Sequence, residues 1–132
     1  YTEVWFIDIK RYIYDRLVNY VPIIEKIGTK NVHIKWNGSN LKDSDKFVFF
    51  WIVGQNTNHI WIRSCLVQID AYAPSIEEVD NIKEIIIDLF NRSNYKWIKS
   101  VLKNDYWNKT PSRKWISRAT LDFDFVFKDM KY

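Results

Sequence analysis

Residues 60–90 read IWIRSCLVQIDAYAPSIEEVDNIKEIIIDLF, and this stretch decides the fold. Its first half is apolar and predicts a long strand, and its second half predicts an amphipathic helix that lies over a sheet. Pro74 marks the turn between them, and Ser75 with Glu78 forms the S-x-x-E pattern of a helix capping box. One apolar stripe of this helix is predicted to be buried, and it consists of Ile76, Val79, Ile82, Ile86 and Leu89.

The composition indicates one domain with a surplus of large side chains. A chain of 132 residues is close to the commonest domain size, so residues 1–132 are interpreted as a single domain. Seven Trp, eight Tyr and eight Phe are too many for the core of one small chain. We therefore expect some of them to line a surface that a partner subunit covers. The net charge of +4 is mildly basic, below that of a typical dedicated nucleic-acid-binding protein.

Two further observations concern the environment of the chain. Cys65 is the only cysteine and lies within the apolar strand, so a buried, unreactive thiol is predicted and an intrachain disulfide is excluded. No apolar run approaches the ~20 residues that a membrane-spanning helix requires. We therefore expect no contact with a membrane.

The segments before residue 60 predict two helical elements and two strands. Pro22 suits the first turn of a short helix, and Gly28 suits its end. The strand that precedes the turn at residues 54–59 is apolar on both faces, so it is predicted to form an antiparallel hairpin with the strand that follows. The predicted elements are a helix at 3–20, a short turn of helix at 22–27, strands at 31–36 and 47–53, and a loop at 37–45.

The segments after the helix predict two more strands. The first covers residues 95–102, where the imperfect alternation leaves a helical turn as the alternative, and it is followed by a loop at 104–112. The second covers residues 113–128 and alternates between an apolar and a mainly polar face. The apolar positions are Trp115, Ala119, Leu121, Phe123, Phe125 and Phe127. Together the elements predict an α+β fold: an antiparallel sheet of about four to five strands, with two main helices packed on one side.

Sequence motifs of enzymes are not found. His33 and His59 lie on unrelated segments without the spacing of metal ligands, and three glycines are too few for the common phosphate-binding loops. We therefore predict that the chain is not an enzyme and that it holds no cofactor and no metal.

A metal-dependent nuclease is the catalytic alternative. Asp70, Asp122 and Asp124 are carboxylates on strands, where a two-metal nuclease places its ligands. The simpler interpretation is a polar outer sheet face balanced by Arg118 and Lys128, because no Glu-x-Lys stands at a convincing position on a neighbouring strand.

Nucleic-acid binding is a second alternative. Lysines and arginines alternate with aromatic residues between positions 95 and 118, as in proteins that bind single strands. Exposed aromatic and basic residues serve equally well at a protein interface, where Trp, Tyr and Arg are enriched.

The strand at residues 66–73, LVQIDAYA, followed directly by the capped helix at 75–90, resembles the central unit of phage tail terminator (tail completion) proteins. An N-terminal helix, a hairpin, a second helix and a long late strand follow one another in that family and in this chain. The resemblance covers most of the sequence.

The resemblance implies a structural virion protein. Such proteins form a ring, usually a hexamer, at the head-proximal end of the tail, where the ring stops polymerisation of the tail tube and joins the tail to the head. The implied partners are further copies of the chain, the tail tube protein and a head–tail connector or stopper protein, with DNA passing through the lumen. The implied location is the neck of the virion after assembly in the host cytoplasm. Head-completion, stopper and other neck connector rings are the nearest alternatives, and a small basic nucleic-acid-binding domain is the other.

Partner contacts are predicted on the two loops and on the last strand, because loops extend from the scaffold and carry binding function. The polar face of the last strand is predicted to face either the lumen or a neighbouring copy. The predicted contact residues are Lys42, Asp43, Tyr106, Trp107, Lys109, Arg113, Lys114 and Arg118.

Overall fold

A computed structural model describes residues 9–28, 32–33, 46–56, 62–95, 98–109 and 117–128. Within these residues the chain forms three helices and six strands in the order that follows. They are α1 (Ile9–Val18), α2 (Val21–Ile27), β1 (Val32–His33), β2 (Phe47–Asn56), β3 (Ile62–Ala73), α3 (Ile76–Phe90), β4 (Ser93–Tyr95), β5 (Ile98–Lys109) and β6 (Ser117–Lys128).

The strands form a single sheet in the order β1-β2-β3-β6-β5-β4. The five strands from β2 to β4 in this order pair antiparallel, and the two-residue β1 adds one parallel pair at the β2 edge. The last long strand, β6, inserts between β3 and β5; it pairs with β3 along its whole length and with β5 from Ser117 to Phe127. The predicted α+β class is confirmed.

The helices cover one face of this sheet. Alternate residues of β3 and β6 face them, as the period of two in a strand requires. These residues enter one core with side chains from all three helices, among them Ile13, Leu17, Ile23, Val79 and Ile86, each of which is fully buried. The alternation predicted for the last strand is confirmed for positions 119, 121, 123, 125 and 127.

The capped start of α3 is confirmed. Ser75 has an extended backbone, and its Oγ accepts a hydrogen bond of 3.2 Å from the backbone N–H of Glu78. Four of the five predicted stripe residues are buried, but Ile76 is 62% exposed. Ile76 is the first residue of the helix, so it lies beyond the part of α3 that faces the core.

The helical elements before the sheet agree with the prediction where the structure describes them. α1 occupies Ile9–Val18 within the predicted helix, and α2 extends over two turns rather than the single short turn expected. Pro22 lies in the first turn of α2, and Gly28 ends it with a φ of 79°, which is costly for residues with a Cβ.

The loop predicted at 104–112 is wrong for residues 104–109, which continue β5. Pairing with β6 outweighs the turn preference of Asn and Asp here, because β6 offers a complete ladder of partners up to Ser117. A β-bulge at Lys103 shifts the register between Leu102 and Asn104. Residues 1–8, 29–31, 34–45, 57–61, 96–97, 110–116 and 129–132, with the parts of the predicted elements that fall on them, lie outside the described part of the chain.

Three contacts attach β5 to α3 and to the residue that follows it. Ser100 Oγ donates a hydrogen bond to the Phe90 carbonyl, and Asn91 Oδ1 accepts one from the Leu102 N–H at 3.0 Å. Lys83 of α3 is only 9% exposed, and its Nζ lies 3.7 Å from a carboxylate oxygen of Asp105. The register of β5 against the helix layer is therefore fixed by polar groups as well as by the sheet.

Candidate assembly surface

The sheet face opposite the helices carries a group of stacked aromatic rings at the ends of β2 and β3. Phe47 and Tyr72 are register partners whose ring centroids lie 4.7 Å apart with an interplanar angle of 8°. Phe49 stacks on Tyr72 at 5.3 Å, and Trp51 continues the row from Phe49 at 5.3 Å. The first three residues are buried and Trp51 is half-buried. Cross-strand aromatic pairs of this kind stabilise a sheet beyond the area they bury.

A buried ion pair adjoins these rings. Asp70 is fully buried, and its Oδ2 lies 3.1 Å from a guanidinium nitrogen of Arg118 on β6. The guanidinium carbon of Arg118 lies 5.8 Å from the ring centroid of Tyr72, its register partner on β3. Arg118 is 22% exposed, so one end of the pair reaches the surface.

Burial dominates the electrostatics of Asp70. Removal from water raises the pKa of its carboxyl group, because the charged form loses hydration. A hydrogen bond from Thr120, the positive charge of Arg118 and a hydrogen bond from Gln68 oppose this increase. Leaving Asp70 without Arg118 would strand a charge in the sheet, so the pair is a structural unit rather than a free acidic group.

The predicted contact residues fall into three groups. Lys42, Asp43, Arg113 and Lys114 lie outside the described residues. Tyr106, Trp107 and Lys109 lie on β5, not on a loop, and their backbones pair with β6 next to Arg118, which pairs with Asn108. The structure therefore brings this second group and Arg118 to the same end of the β5–β6 pair. Arg118 itself is engaged with Asp70 and is not a freely exposed cation.

The three strand carboxylates share one sheet face without forming a metal site. Asp122 pairs in register with Gln68 and Asp124 with Leu66, on the face that also carries Asp70. Asp122 and Asp124 are half-buried, whereas Asp70 points its carboxylate at Arg118. Among the residues that the structure describes, no group of three or more His, Cys, Asp or Glu side chains could hold a metal ion.

The burial predicted for Cys65 is confirmed. Its side chain is 2% exposed in the core, where burial and the nearby Asp124 raise the pKa of the thiol to about 11. At neutral pH the thiol is protonated and therefore a poor nucleophile. None of the described helices has the length and apolar character to cross a membrane.

Sequence reasoning missed the ion pair and the aromatic group. The signal for the aromatic group was present, because residues 47–53 are apolar at both odd and even positions. No local signal distinguishes Asp70 from a solvated strand aspartate. Its partner Arg118 lies 48 positions later, and only the insertion of β6 beside β3 brings the two together.

Comparisons with known proteins give a likeness in fold. No family model and no curated protein matches the sequence. Among solved structures, a chain from the "Virion of native gene transfer agent (GTA) particle" superposes with a TM-score of 0.68 at 9% sequence identity. The superposition covers 90% of this chain and 93% of that one. The fold of this protein is therefore the fold of that virion chain over nearly the full length of both.

Proposed function

We propose that this protein is a structural virion protein of the phage tail terminator type. In this role, copies of the chain form a ring, with six as the expected number, at the head-proximal end of the tail. The ring stops polymerisation of the tail tube and provides the surface that joins the tail to the head. The protein acts by binding to other virion proteins rather than by catalysis.

One observation carries the proposal: the match over 90% of this chain and 93% of a chain from an assembled gene transfer agent virion. Coverage of both chains means that the two share a whole domain rather than a common substructure. Because 9% identity indicates shared fold alone, the role in the particle is our inference. The strand-to-helix unit at residues 66–90, which resembles tail terminators in sequence, supports the more specific assignment.

The physical character of the described residues suits an assembly role. On the sheet face opposite the helices, Asp70 and Arg118 form an internal ion pair, and the described residues include no group of three or more His, Cys, Asp or Glu side chains that could hold a metal ion. The sheet instead offers two long strands near its edges, β2 and β5, for contacts with neighbours. A ring subunit requires two different lateral surfaces, because each copy contacts one neighbour on either side.

The first test is the size of the assembly in solution. We expect native mass spectrometry of the purified full chain to show a closed oligomer, with six copies as the dominant species. In a second arm, the protein is added to polymerising tail tube protein, and the tube lengths are measured by electron microscopy. A terminator shortens the tubes and is found at one end of each.

Two results would contradict the proposal. A chain that stays monomeric at high concentration and does not bind tail tubes cannot be a tail terminator. A ring that binds an isolated head connector but leaves tube length unchanged would instead indicate a head-completion or stopper protein. The variant Ser75→Ala, which removes the N-cap of α3, is a control for effects of lowered stability on assembly. Ser75 is exposed, and its substitution leaves the strands of the sheet unchanged.

A further inference from the structure

Over more than half of its length, the outer side of β5 has no partner strand among the described residues. β4 pairs with β5 only at positions 98–100, and the Asn91 side chain occupies the N–H of Leu102. From residue 103 to 109, no described strand lies on the outer side of β5. Lys103, Asn104 and Asp105 have exposed side chains at the start of this edge. Unpaired backbone groups in such an edge accept another strand.

On the opposite side of the same sheet, a segment of β2 of equal length likewise lacks a partner strand in the part of the chain that the structure describes. β1 pairs with β2 only at Val48 and Phe49. From residue 50 to 56, no described strand lies on the outer side of β2. Val53, at the β-bulge of this strand, is 50% exposed, and Val101, which precedes the open part of β5, is 40% exposed. They are two of the four exposed large hydrophobic residues in the described part of the chain.

The strand directions make these two edges complementary. β2, β3, β6 and β5 are neighbours in this order, and each of the three pairings is antiparallel. β2 and β5 therefore run in opposite directions. If neighbouring copies are related by an operation that leaves the strand direction unchanged, β2 of one copy lies beside β5 of the next and runs antiparallel to it. Antiparallel pairing is also what the long strands of this sheet use.

We propose that the outer edge of β5 pairs with the outer edge of β2 in a neighbouring copy of this chain. This inference rests on the proposed ring and assigns its lateral contact to residues 103–109 and 50–56. The contact is head-to-tail, so it can close into a ring, whereas pairing of β5 with a second β5 ends at a dimer. Backbone hydrogen bonds supply the attachment, and the pairing covers the exposed Val53.

The full pairing of the two open segments requires a stagger. Register pairs connect Asn104 of β5 through Asp122 and Gln68 to Trp51 of β2, so these four residues lie at the same position along the strand direction. If two copies stood side by side without a shift, residues 103–109 of one and 50–56 of the other would therefore overlap only in part. Alignment of both segments along their length shifts one copy along the strand direction relative to the next. A ring with such a shift closes only when the strands are inclined to its axis.

Cysteine cross-linking tests the contact directly. We compare Val53→Cys, Asn104→Cys, an equal mixture of the two, and the double variant, each treated with a short bismaleimide. Val53 and Asn104 are exposed, and they come within a few residues of each other with or without the stagger. The native Cys65 is buried with a raised thiol pKa, so the unmodified chain gives the background. The matched control is the double variant Glu84→Cys with Asn104→Cys, because Glu84 is also exposed but lies on α3.

We expect covalent dimers in the mixture, a ladder in the double variant, and monomers in each single variant and in the control. Circular dichroism of every variant establishes that it is folded. A dimer from Asn104→Cys alone would replace the proposed contact with β5–β5 pairing. Closed rings by native mass spectrometry without cross-linking in the mixture would overturn this contact and leave the proposed function standing. Monomers by mass and no cross-links would overturn both.

Discussion

The two faces of the sheet are both buried in part, but they are built in different ways. On the helix face, the rings of Phe90, Phe123 and Phe125 meet edge to face, with interplanar angles of 63° to 67°. On the opposite face, Phe47 and Tyr72 stack nearly parallel beside a charged pair. The helix face is closed by side chains from three helices, whereas the stacked rings lie at the ends of only two strands.

The two faces therefore contribute to the stability of the fold in different ways. Apolar side chains on the helix face interdigitate from several elements, so their contribution scales with buried area. The opposite face includes a fully buried carboxylate, whose stability depends on one partner in the correct place. Substitutions on the first face are therefore expected to act through cavity volume, and substitutions at the Asp70–Arg118 pair on the second face through uncompensated charge.

The largest effect is expected from Phe123→Ala on the helix face. Phe123 is fully buried and its ring contacts Phe90 and Phe125, so truncation leaves a cavity at the centre of the core. We expect the free energy of unfolding to fall by about 3–5 kcal/mol, measured by urea denaturation. The matched control is Asp122→Ala, the adjacent half-buried residue on the other face, where the loss should stay below about 1 kcal/mol. Equal losses at the two positions would remove the distinction between the faces.

The next effect is expected from Arg118→Ala on the opposite face. This change leaves Asp70 buried without its cation and should lower the free energy of unfolding by about 3 kcal/mol, the lower end of the range for broken buried pairs. The lower end applies because Arg118 is 22% exposed and water can enter its place. The double variant Arg118→Ala with Asp70→Asn should recover part of the loss, since no charge remains. A double variant that is less stable than Arg118→Ala would show that packing, not charge, dominates at this site.

The smallest effect is a dependence of stability on pH through Asp70. Burial raises the pKa of this carboxyl in the folded state, so between the two pKa values the folded state binds more protons than the unfolded state. The contribution of Asp70 to stability is therefore complete below its ordinary pKa and is lost as the pH rises through the folded pKa. Denaturation of the native chain and of Asp70→Asn across the acidic range isolates this term. Their stability difference should move against the native chain as pH rises, and the opposite trend would mean that Arg118 lowers the pKa of Asp70 more than burial raises it.

The parts of the fold that depend on neighbouring residues could be predicted from the sequence. The Ser75 cap, the α2 stop at Gly28 and the alternation of β6 each involve contacts within a few positions or a simple period. The antiparallel pairing of β2 with β3 follows from two apolar segments that are neighbours in the sequence. These features were predicted because local chemistry and the final fold favour the same conformation.

The parts that depend on distant strands could not be predicted. Asn104 and Asp105 have turn chemistry, and only the ladder with β6 makes them part of a strand. The predicted contact residue Arg118 proved to be the partner of Asp70, because β6 lies beside β3 rather than at an edge. Such pairings depend on where the last strand lies in the sheet, and no pattern of neighbouring residues in the sequence indicates that position. Predicted contacts at Lys42, Asp43, Arg113 and Lys114 stay predictions.

The bulge at Lys103 reverses which sheet face the following side chains of β5 occupy. Leu102 and Asp105 are three positions apart, yet Leu102 packs on the core and Asp105 reaches Lys83 of α3, so both lie on the helix side. A strand without the extra residue would send one of the two to the other side. In evolution, the gain or loss of one residue here would therefore move every side chain from residue 104 to 109 to the opposite sheet face in a single step. Changes in length at this point therefore alter the side chains that β5 presents on each face more than changes in residue type do.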